Sequence, residues 1–563
     1  MADGVGAWDD EVDVLIVGSG AAAMTAAVFA AKNHADALVI EKSELYGGSS
    51  ATSGGVVWIP ATRQALAAGS DDTPEDGFNY IRALTAPEVP DSLIWAFVRN
   101  GPKMLDWMEE NSEVKYVTTH YCDYHPNLPG GKTAFRSHDA VPIHAGTLGD
   151  EFLQQRAQHP AAQFFGKINW TVDETTPLLF RLPGWKKIVA RLFFRYYLDQ
   201  PWRLRSKRDR FLTLGSALAA RLKLSMNKLG AKLWLKTKFL ELVTENGKVV
   251  GAVVEKEGRR MRIGARRGVL LAAGGFERSP EMRSKYLPVS TIYTGAQPPN
   301  TGDAIRGAME LGAQTARMNS AWWGVSLAIP GEDKTRLMTF ERALPGCIVV
   351  NQAGKRYFNE AASYHIAGHA MIDNNKPGAA TVPSYILFDS QYRHDYPMGP
   401  VLPLLPDWML SSAIKQVLIK GNSWEDVARQ AGLPWATLKQ TIENFNKHAK
   451  VGKDPEFLRG DDPYDCYYGD PKVKPNPTLR ALDKGPFYAF PVYPGDIGTN
   501  GGLVINENAQ VLGKDGNPIP GLYAAGNTTA SVMGYSYPAA GATLGPAMTF
   551  GYLAGRHMMG VNE

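Results

Sequence analysis

Three observations predict an α/β fold in which the two ends of the chain form one domain around an inserted second one. A β-branched run ends in glycines near the N-terminus, further strand–glycine segments recur mid-chain and near the end, and Gly516–Gly555 is a 40-residue uncharged stretch broken by eight Gly and four Pro. So interrupted a stretch does not suit a lipid-facing helix and reads as chain wrapped around an uncharged ligand surface. At 563 residues the chain has room for two to four domains. Its 44% apolar and 21% charged content excludes a disordered chain or a coiled coil.

The first element is Val12–Val17 (VDVLIV), read as a buried strand. Gly18-Ser19-Gly20-Ala21-Ala22-Ala23 follows, then a small-residue helix to about Asn33, then a strand Leu38–Ile40 that runs into Glu41 and Lys42. Gly18 permits a tight turn, Gly20 lets backbone approach a pyrophosphate, and the helix N-terminus favours its negative charge; Ala23 stands at the third glycine position. Glu41, 23 residues past Gly18, sits where a carboxylate binds ribose hydroxyls. The pattern is a dinucleotide-binding βαβ unit, the rival reading being a glycine-rich turn in an unrelated α/β domain.

A second loop, Gly47-Gly48-Ser49-Ser50-Ala51-Thr52-Ser53-Gly54-Gly55, is a wrap that simple NAD-binding proteins do not need and that flavoproteins of the glutathione-reductase type use. Gly268–Gly275 is a strand ending in Ala273-Gly274-Gly275, and Gly521–Asn527 ends in Gly526-Asn527. Converging on one FAD, these segments make a Rossmann-like FAD-binding domain. Gly545-Pro546-Ala547-Met548 is expected to begin the last helix with Pro546 first. That helix either points its N-terminus at a flavin or is an ordinary C-terminal helix.

Charge is uneven. Net charge is +4, yet Arg181–Arg210 holds ten basic and two acidic residues, so that segment is +8 and the rest −4. One basic island implies a local partner and no nucleic acid. Within it Trp185, Ile188, Val189, Leu192 and Tyr196 recur at helical spacing, with Lys187, Arg191 and Arg195 on another face. Segment 178–210 suits an anionic membrane surface, or equally a helix packed on the body with a solvated basic face. Asp426–Ala449 reads as a helical pair without visible chemistry. Cys122, Cys347 and Cys466 form no CxxC pair, and the eleven histidines show no ligand spacing, so neither a disulfide framework nor a metal is expected. The acidic N-terminal stretch has no secretory pattern. A cytoplasmic location is expected, peripherally membrane-associated if the basic segment meets lipid. No GxSxG, HExxH or P-loop lysine motif is present. Tyrosines gather instead beside Gly and Pro: Tyr121 and Tyr124, Tyr364, and Tyr535 and Tyr537, each of which taken alone reads as a packed aromatic.

Over nearly its whole length the sequence resembles the 3-ketosteroid Δ1-dehydrogenases. The resemblance rests on GSGAAAM at 18–24, YGGSSATSGG at 46–55, YCDYHPNLPGG at 121–131, NTGDAI at 300–305, NEAASY at 359–364, PGDIGTNGG at 494–502, GLYAAGN at 521–527 and SYPAAGATLGPAMTFGY at 536–552. The glycine motifs are shared with fumarate-reductase-like flavoproteins, whereas the tyrosine segments are more specific. The resemblance implies that Tyr364 removes a proton from C2 of the steroid A ring and that Tyr124 makes it a better base. It further implies that Tyr537 and the Gly541 amide bind the C3 oxygen, while FAD N5 takes the C1 hydride. It places Asn300, Asp303 and Leu544 beside the cofactor with the segments above. No histidine lies in Tyr46–Gly55, so FAD is expected to be noncovalent. Two departures bear on the site: Pro538-Ala539-Ala540-Gly541 replaces the Pro-Gly-Pro-Gly of many relatives, and Ser363 replaces their Pro.

The expected architecture is an FAD-binding domain from 1–322 and 498–563, with a basic helical excursion at about 155–212, and an inserted α+β catalytic domain at 323–497. The expected activity is 1,2-desaturation of 3-ketosteroids in steroid or sterol degradation, with a quinone-like or other electron acceptor; lipid contact would favour a sterol-derived ketone such as cholest-4-en-3-one. The alternatives are a 3-ketosteroid Δ4-dehydrogenase or fumarate-reductase-like flavoenzyme, and a non-catalytic flavin- or lipid-binding membrane-surface protein.

Overall fold

The computed structural model describes residues 7–561; the first six residues of the acidic N-terminal stretch and the last two of the chain lie outside the described residues. Val12–Val17 lies within a strand, Asp10–Val17, at the centre of an eight-stranded sheet. It pairs in parallel with Ala37–Ile40 on one side and Arg259–Leu271 on the other, and the latter pairs in parallel with Pro518–Ala524. The centre is almost wholly buried: Val14, Leu15 and Ile16 expose no surface, as a parallel strand covered on both faces requires. Lys232–Trp234 extends one edge, Gln510–Leu512 the other, and the hairpin Thr237–Glu245/Lys248–Lys256 continues from Arg259–Leu271.

The register positions the site. Val17 is level with Ile40 and Leu271, and Leu271 is level with Ala524. Four segments therefore leave the sheet at one edge, where ligands bind in open α/β sheets. Seven of the twelve residues of the first helix, Ala21–Lys32, are Ala, so the last helix, Leu544–Met559, packs closely on it. A Cβ on Gly551 would lie 2.4 Å from the Ala22 carbonyl oxygen. The last helix begins at Leu544, two residues before the expected Pro546. Pro546 is still in the first turn, where its missing N–H has no intrahelical partner to lose.

A second, antiparallel sheet runs Arg336–Leu337, Ala321–Leu327, Phe487–Thr499, Ser384–Asp389, Cys347–Val350, with Ile419–Gly421 also paired to Phe487–Thr499. Side chains alternate between its faces. Cys347 and Val349 join a cluster with Ile386, Phe388 and Phe490; Ile348 and Val350 join another with Leu387, Trp424 and Leu438. Asp426–Ala449 is the expected helical pair, seen as Trp424–Ala431 and Trp435–Ala449.

The basic segment carries a helix at Trp185–Leu198. Its expected apolar stripe is only partly buried: Leu192 and Tyr196 join Ile168 in a small core of their own. Of the expected cationic stripe, Arg191 pairs with Glu174 at 2.6 Å and Arg195 hydrogen-bonds the Asn169 carbonyl, whereas Lys187 is exposed. Among the described residues no helix is long and apolar enough to cross a membrane.

Candidate active site

A cavity of about 510 Å³ opens where the four segments leave the first sheet and continues to Tyr124, Tyr364 and Tyr537. At its first end Gly18 has φ +103°, and a Cβ there would lie 2.4 Å from the Ala272 carbonyl oxygen, so only glycine fits. Gly20 caps the first helix with no side-chain bond. Its nearest would-be Cβ contact is the Ser50 hydroxyl at 3.5 Å, which leaves backbone facing the cavity. The Glu41 carboxylate accepts the Ser19 hydroxyl at 2.7 Å and the Ser43 N–H at 2.9 Å. Together the helix N-terminus, where the Ser50 hydroxyl accepts only the Ala21 N–H at 3.0 Å, bare backbone at Gly20 and a carboxylate at the end of the second strand suit the diphosphate and ribose of FAD.

Of the residues expected at the cofactor, Gly18, Ser19, Gly20, Ala21, Ala22, Glu41, Lys42, Gly48, Ser49, Ser50, Ser53, Gly54 and Gly55 line this cavity, as do Ala273, Gly274, Asn300, Asp303, Gly526, Asn527, Gly541 and Leu544. Lys42 and Asp303 also pair with each other at 2.5 Å. Ala23, Gly47 and Gly275 do not line it. Ala23 is wholly buried in the helix packing, and the Gly47 N–H is taken by the Ser19 hydroxyl at 3.0 Å. Gly275 is pressed so closely on Thr499 and Glu277 that a Cβ would meet the Thr499 hydroxyl at 1.9 Å.

At the other end stand three phenols. Tyr364 is the first residue of the helix Tyr364–Asp373, whose N-cap Ser363 accepts the Ile366 N–H at 3.4 Å. The serine that replaces proline thus restrains the turn by capping. Ring centroids of Tyr124 and Tyr364 are 5.7 Å apart, those of Tyr364 and Tyr537 5.2 Å, and those of Tyr124 and Tyr537 5.7 Å. All three line the cavity and are at least 94% buried. Burial pushes the Tyr364 hydroxyl well above the usual phenol range; the neighbouring Tyr537 raises it further, while Tyr124 lowers it. Burial likewise raises Tyr537, opposed by donation from Tyr364 and Thr543. His365, next to Tyr364, donates its Nε2–H to the Tyr535 carbonyl at 2.8 Å. Burial, and then His369, pull it down to about 3, so it stays neutral beside the phenols.

The Pro538–Gly541 turn is held without its extra glycine and proline. Pro538 O accepts the Tyr124 N–H at 2.8 Å and the Tyr80 hydroxyl at 2.7 Å, and Ala540 O accepts the Ser137 hydroxyl at 2.9 Å. Gly541 O accepts the Trp58 N–H at 3.2 Å. Gly541 itself has φ +97° and lines the cavity, and among the described residues its N–H meets no protein acceptor.

Sequence reasoning missed several walls of the cavity. Thr543 lies within the quoted SYPAAGATLGPAMTFGY segment, so its place was a usable signal. Trp170, Val172 and Thr175 come from the basic excursion, and Phe340 and Tyr468 from the inserted unit. None of these carries a local motif, since only the tertiary fold brings them to the cavity.

A family described as FAD binding domain matches residues 13–544. A 3-oxosteroid 1-dehydrogenase of Mycolicibacterium smegmatis is 38% identical over 97% of this chain and 96% of its own length. A 4-oxocyclohexanecarboxylate 2-dehydrogenase of Sinomonas cyclohexanicum is 35% identical over 99% of this chain and 94% of its own length. The crystal structure of a 3-ketosteroid Δ1-dehydrogenase from Sterolibacterium denitrificans, in complex with 1,4-androstadiene-3,17-dione, superposes with a TM-score of 0.94 at 42% identity, covering 98% of this chain and 100% of that one. With the strand-end cradle and the tyrosine motifs in one cavity, these likenesses show that the chain belongs to the FAD-dependent 3-oxosteroid 1-dehydrogenase family.

Proposed function

We propose that this flavoenzyme removes the C1 and C2 hydrogens of a 3-ketosteroid and leaves a 1,2 double bond. The observation that carries this reading is the meeting of Tyr124, Tyr364, Tyr537 and the Gly541 amide in the cavity that also holds the cofactor cradle. A C2 proton is acidic only because the adjacent ketone can become an enolate. Tyr537 O–H and Gly541 N–H donate to the C3 oxygen as that charge develops, worth about 3–4 kcal/mol each by analogy with oxyanion holes. Tyr364 takes the C2 proton, and Tyr124 stabilises the phenolate that accepts it. Neutral phenols suit an apolar steroid cavity, where a lone carboxylate would be costly to bury. Bound FAD supplies the two-electron acceptor for the C1 hydride. It would be held by Glu41 at the ribose and by the Gly18–Ala22 turn at the diphosphate. We assign this work to an FAD-binding unit of residues 1–322 and 498–563 and a capping unit of 323–497; the existence of two main sheets supports two units, although both boundaries fall inside strands of the second sheet, Ala321–Leu327 and Phe487–Thr499.

Anaerobic mixing with a 1,2-saturated 3-ketosteroid tests the reading. The yellow protein should bleach and a 1-ene product should form; a 4-ene product, or no bleaching, overturns it. Tyr364→Phe should keep the colour and lose bleaching by about a thousandfold.

The reoxidant is proposed to be quinone-like, and the excursion to rest on anionic lipid. Phe194, Leu198 and Leu204 are 64%, 73% and 88% exposed beside the cationic run that includes exposed Lys186 and Lys187. The same excursion lends Trp170, Val172 and Thr175 to the cavity wall, which supports delivery of an apolar substrate from the lipid side.

A further inference from the structure

We infer that Arg342 is a positioning residue for the proton-accepting tyrosine, tying the loop before Tyr364 to a wall of the cavity and holding a positive charge behind the phenols. Arg342 is 1% exposed, and its guanidinium is bound entirely by main-chain carbonyls. Nη1 donates to Glu360 O at 2.6 Å and to Ala362 O at 3.1 Å, within the segment that ends at Tyr364. Nε donates to Met338 O at 3.0 Å and Nη2 to Thr339 O at 3.2 Å, beside Leu337, Thr339 and Phe340 of the cavity lining. One planar fork therefore spans both segments, which lysine's single ammonium cannot do.

Its charge is not cancelled by an ion pair. Among the described residues the Glu360 carboxylate is taken by Arg356 at 2.7 Å and Arg459 at 3.3 Å, and no carboxylate lies within ion-pair distance of Arg342. The titratable or charged groups facing Arg342 include Tyr464, Tyr468, Glu341, Cys347 and Arg459. Glu341 is itself pushed up by burial, which favours its neutral form. A buried cation without a direct partner is costly, and here its field has an outlet. It opposes the burial-driven rise of the Tyr464 and Tyr468 hydroxyls. Tyr464 lies 4.8 Å, ring to ring, from Tyr124, and Tyr468 lines the cavity.

The inference rests on Tyr364 as the base, so Tyr364→Phe is measured alongside. The tests use FAD-loaded Arg342→Gln and Arg342→Lys, followed by kcat, KM, the ascending limb of the pH–rate profile, flavin content and Tm. Arg342→Gln should lower kcat by about tenfold or more with KM within about twofold, and move the ascending limb to higher pH. Arg342→Lys should restore the limb and only part of kcat. Parent-like kcat with an unmoved limb in both variants overturns the inference. So does a loss that follows flavin content or Tm alone, or failure of both variants to hold FAD, since each makes the role structural. If instead Tyr364→Phe retains the parent rate, it is the base assignment that falls.

Discussion

Three phenols and one amide concentrate the chemistry, and their partners define what each substitution should do. Tyr124 is the contact that pulls Tyr364 down against burial. Activity should therefore rise with pH as the Tyr364 phenolate becomes populated, and Tyr124→Phe should displace that rise to higher pH. A displacement by one pH unit lowers the phenolate population, and kcat at pH 7, by about tenfold. An unchanged profile in Tyr124→Phe would assign Tyr124 to packing. Gly541 is constrained twice, by its positive φ and by the Trp58 N, 2.6 Å from a would-be Cβ. Gly541→Ala should lose activity by about a hundredfold or more as the donor is displaced, with a steroid-binding defect visible in difference spectra. Gly18, Gly20 and Gly541 were legible in the sequence because close backbone approach leaves glycine as its residue type. The roles of the tyrosines were not legible from residue type, since a buried phenol packs well anywhere; only their company in named segments pointed to them.

At the level of single elements, the strands and helices of the βαβ unit follow from local pattern. Val12–Val17 and Leu38–Ile40 are β-branched and apolar, and both lie within observed strands. The start of the last helix was displaced by two residues because Pro546 is compatible with more than one place in a first turn. The short strand Ser137–Ala140 had no such signal, yet it is buried throughout and supports the Gly541 turn through Ser137. Its Asp139 carries a buried oxygen without a partner, and burial, then Asp173, push the carboxyl up to about 8. The folded state thus keeps this proton while the unfolded chain releases it near pH 4. The folded state binds more protons between those values, so this group's contribution falls as pH rises from about 4 to about 8. Asp139→Asn should stabilise the protein, and the Tm gain over the parent should widen from pH 5 to pH 8. A gain that is flat or shrinks with pH would mean that the carboxyl is ionised in the fold.

Across the whole molecule, the cavity draws on the first sheet, the inserted sheet and the excursion, and only the first of these advertised itself in local sequence. The excursion's composition was legible as basic and amphipathic. That it walls the cavity, and that Arg191 and Arg195 are engaged within it, depends on tertiary contacts that charge spacing does not encode. The lipid test therefore uses residues outside those pairs. Leu198→Gln with Leu204→Gln, and separately Lys186→Gln with Lys187→Gln, should each lower cosedimentation with anionic vesicles several-fold while leaving turnover of a detergent-soluble steroid within about twofold. Parent-like cosedimentation in both pairs would leave the excursion as a purely internal wall.

Gly20 and Gly541 stand 521 positions apart in the sequence and border the same cavity, with the first and last helices locked together behind them. A nascent chain on the ribosome cannot close that ring until its final helix emerges. Capture of the flavin must then wait for Gly541 and the helix that follows it, and a message cut short upstream of codon 541 should yield a colourless product, however well its earlier strands have assembled.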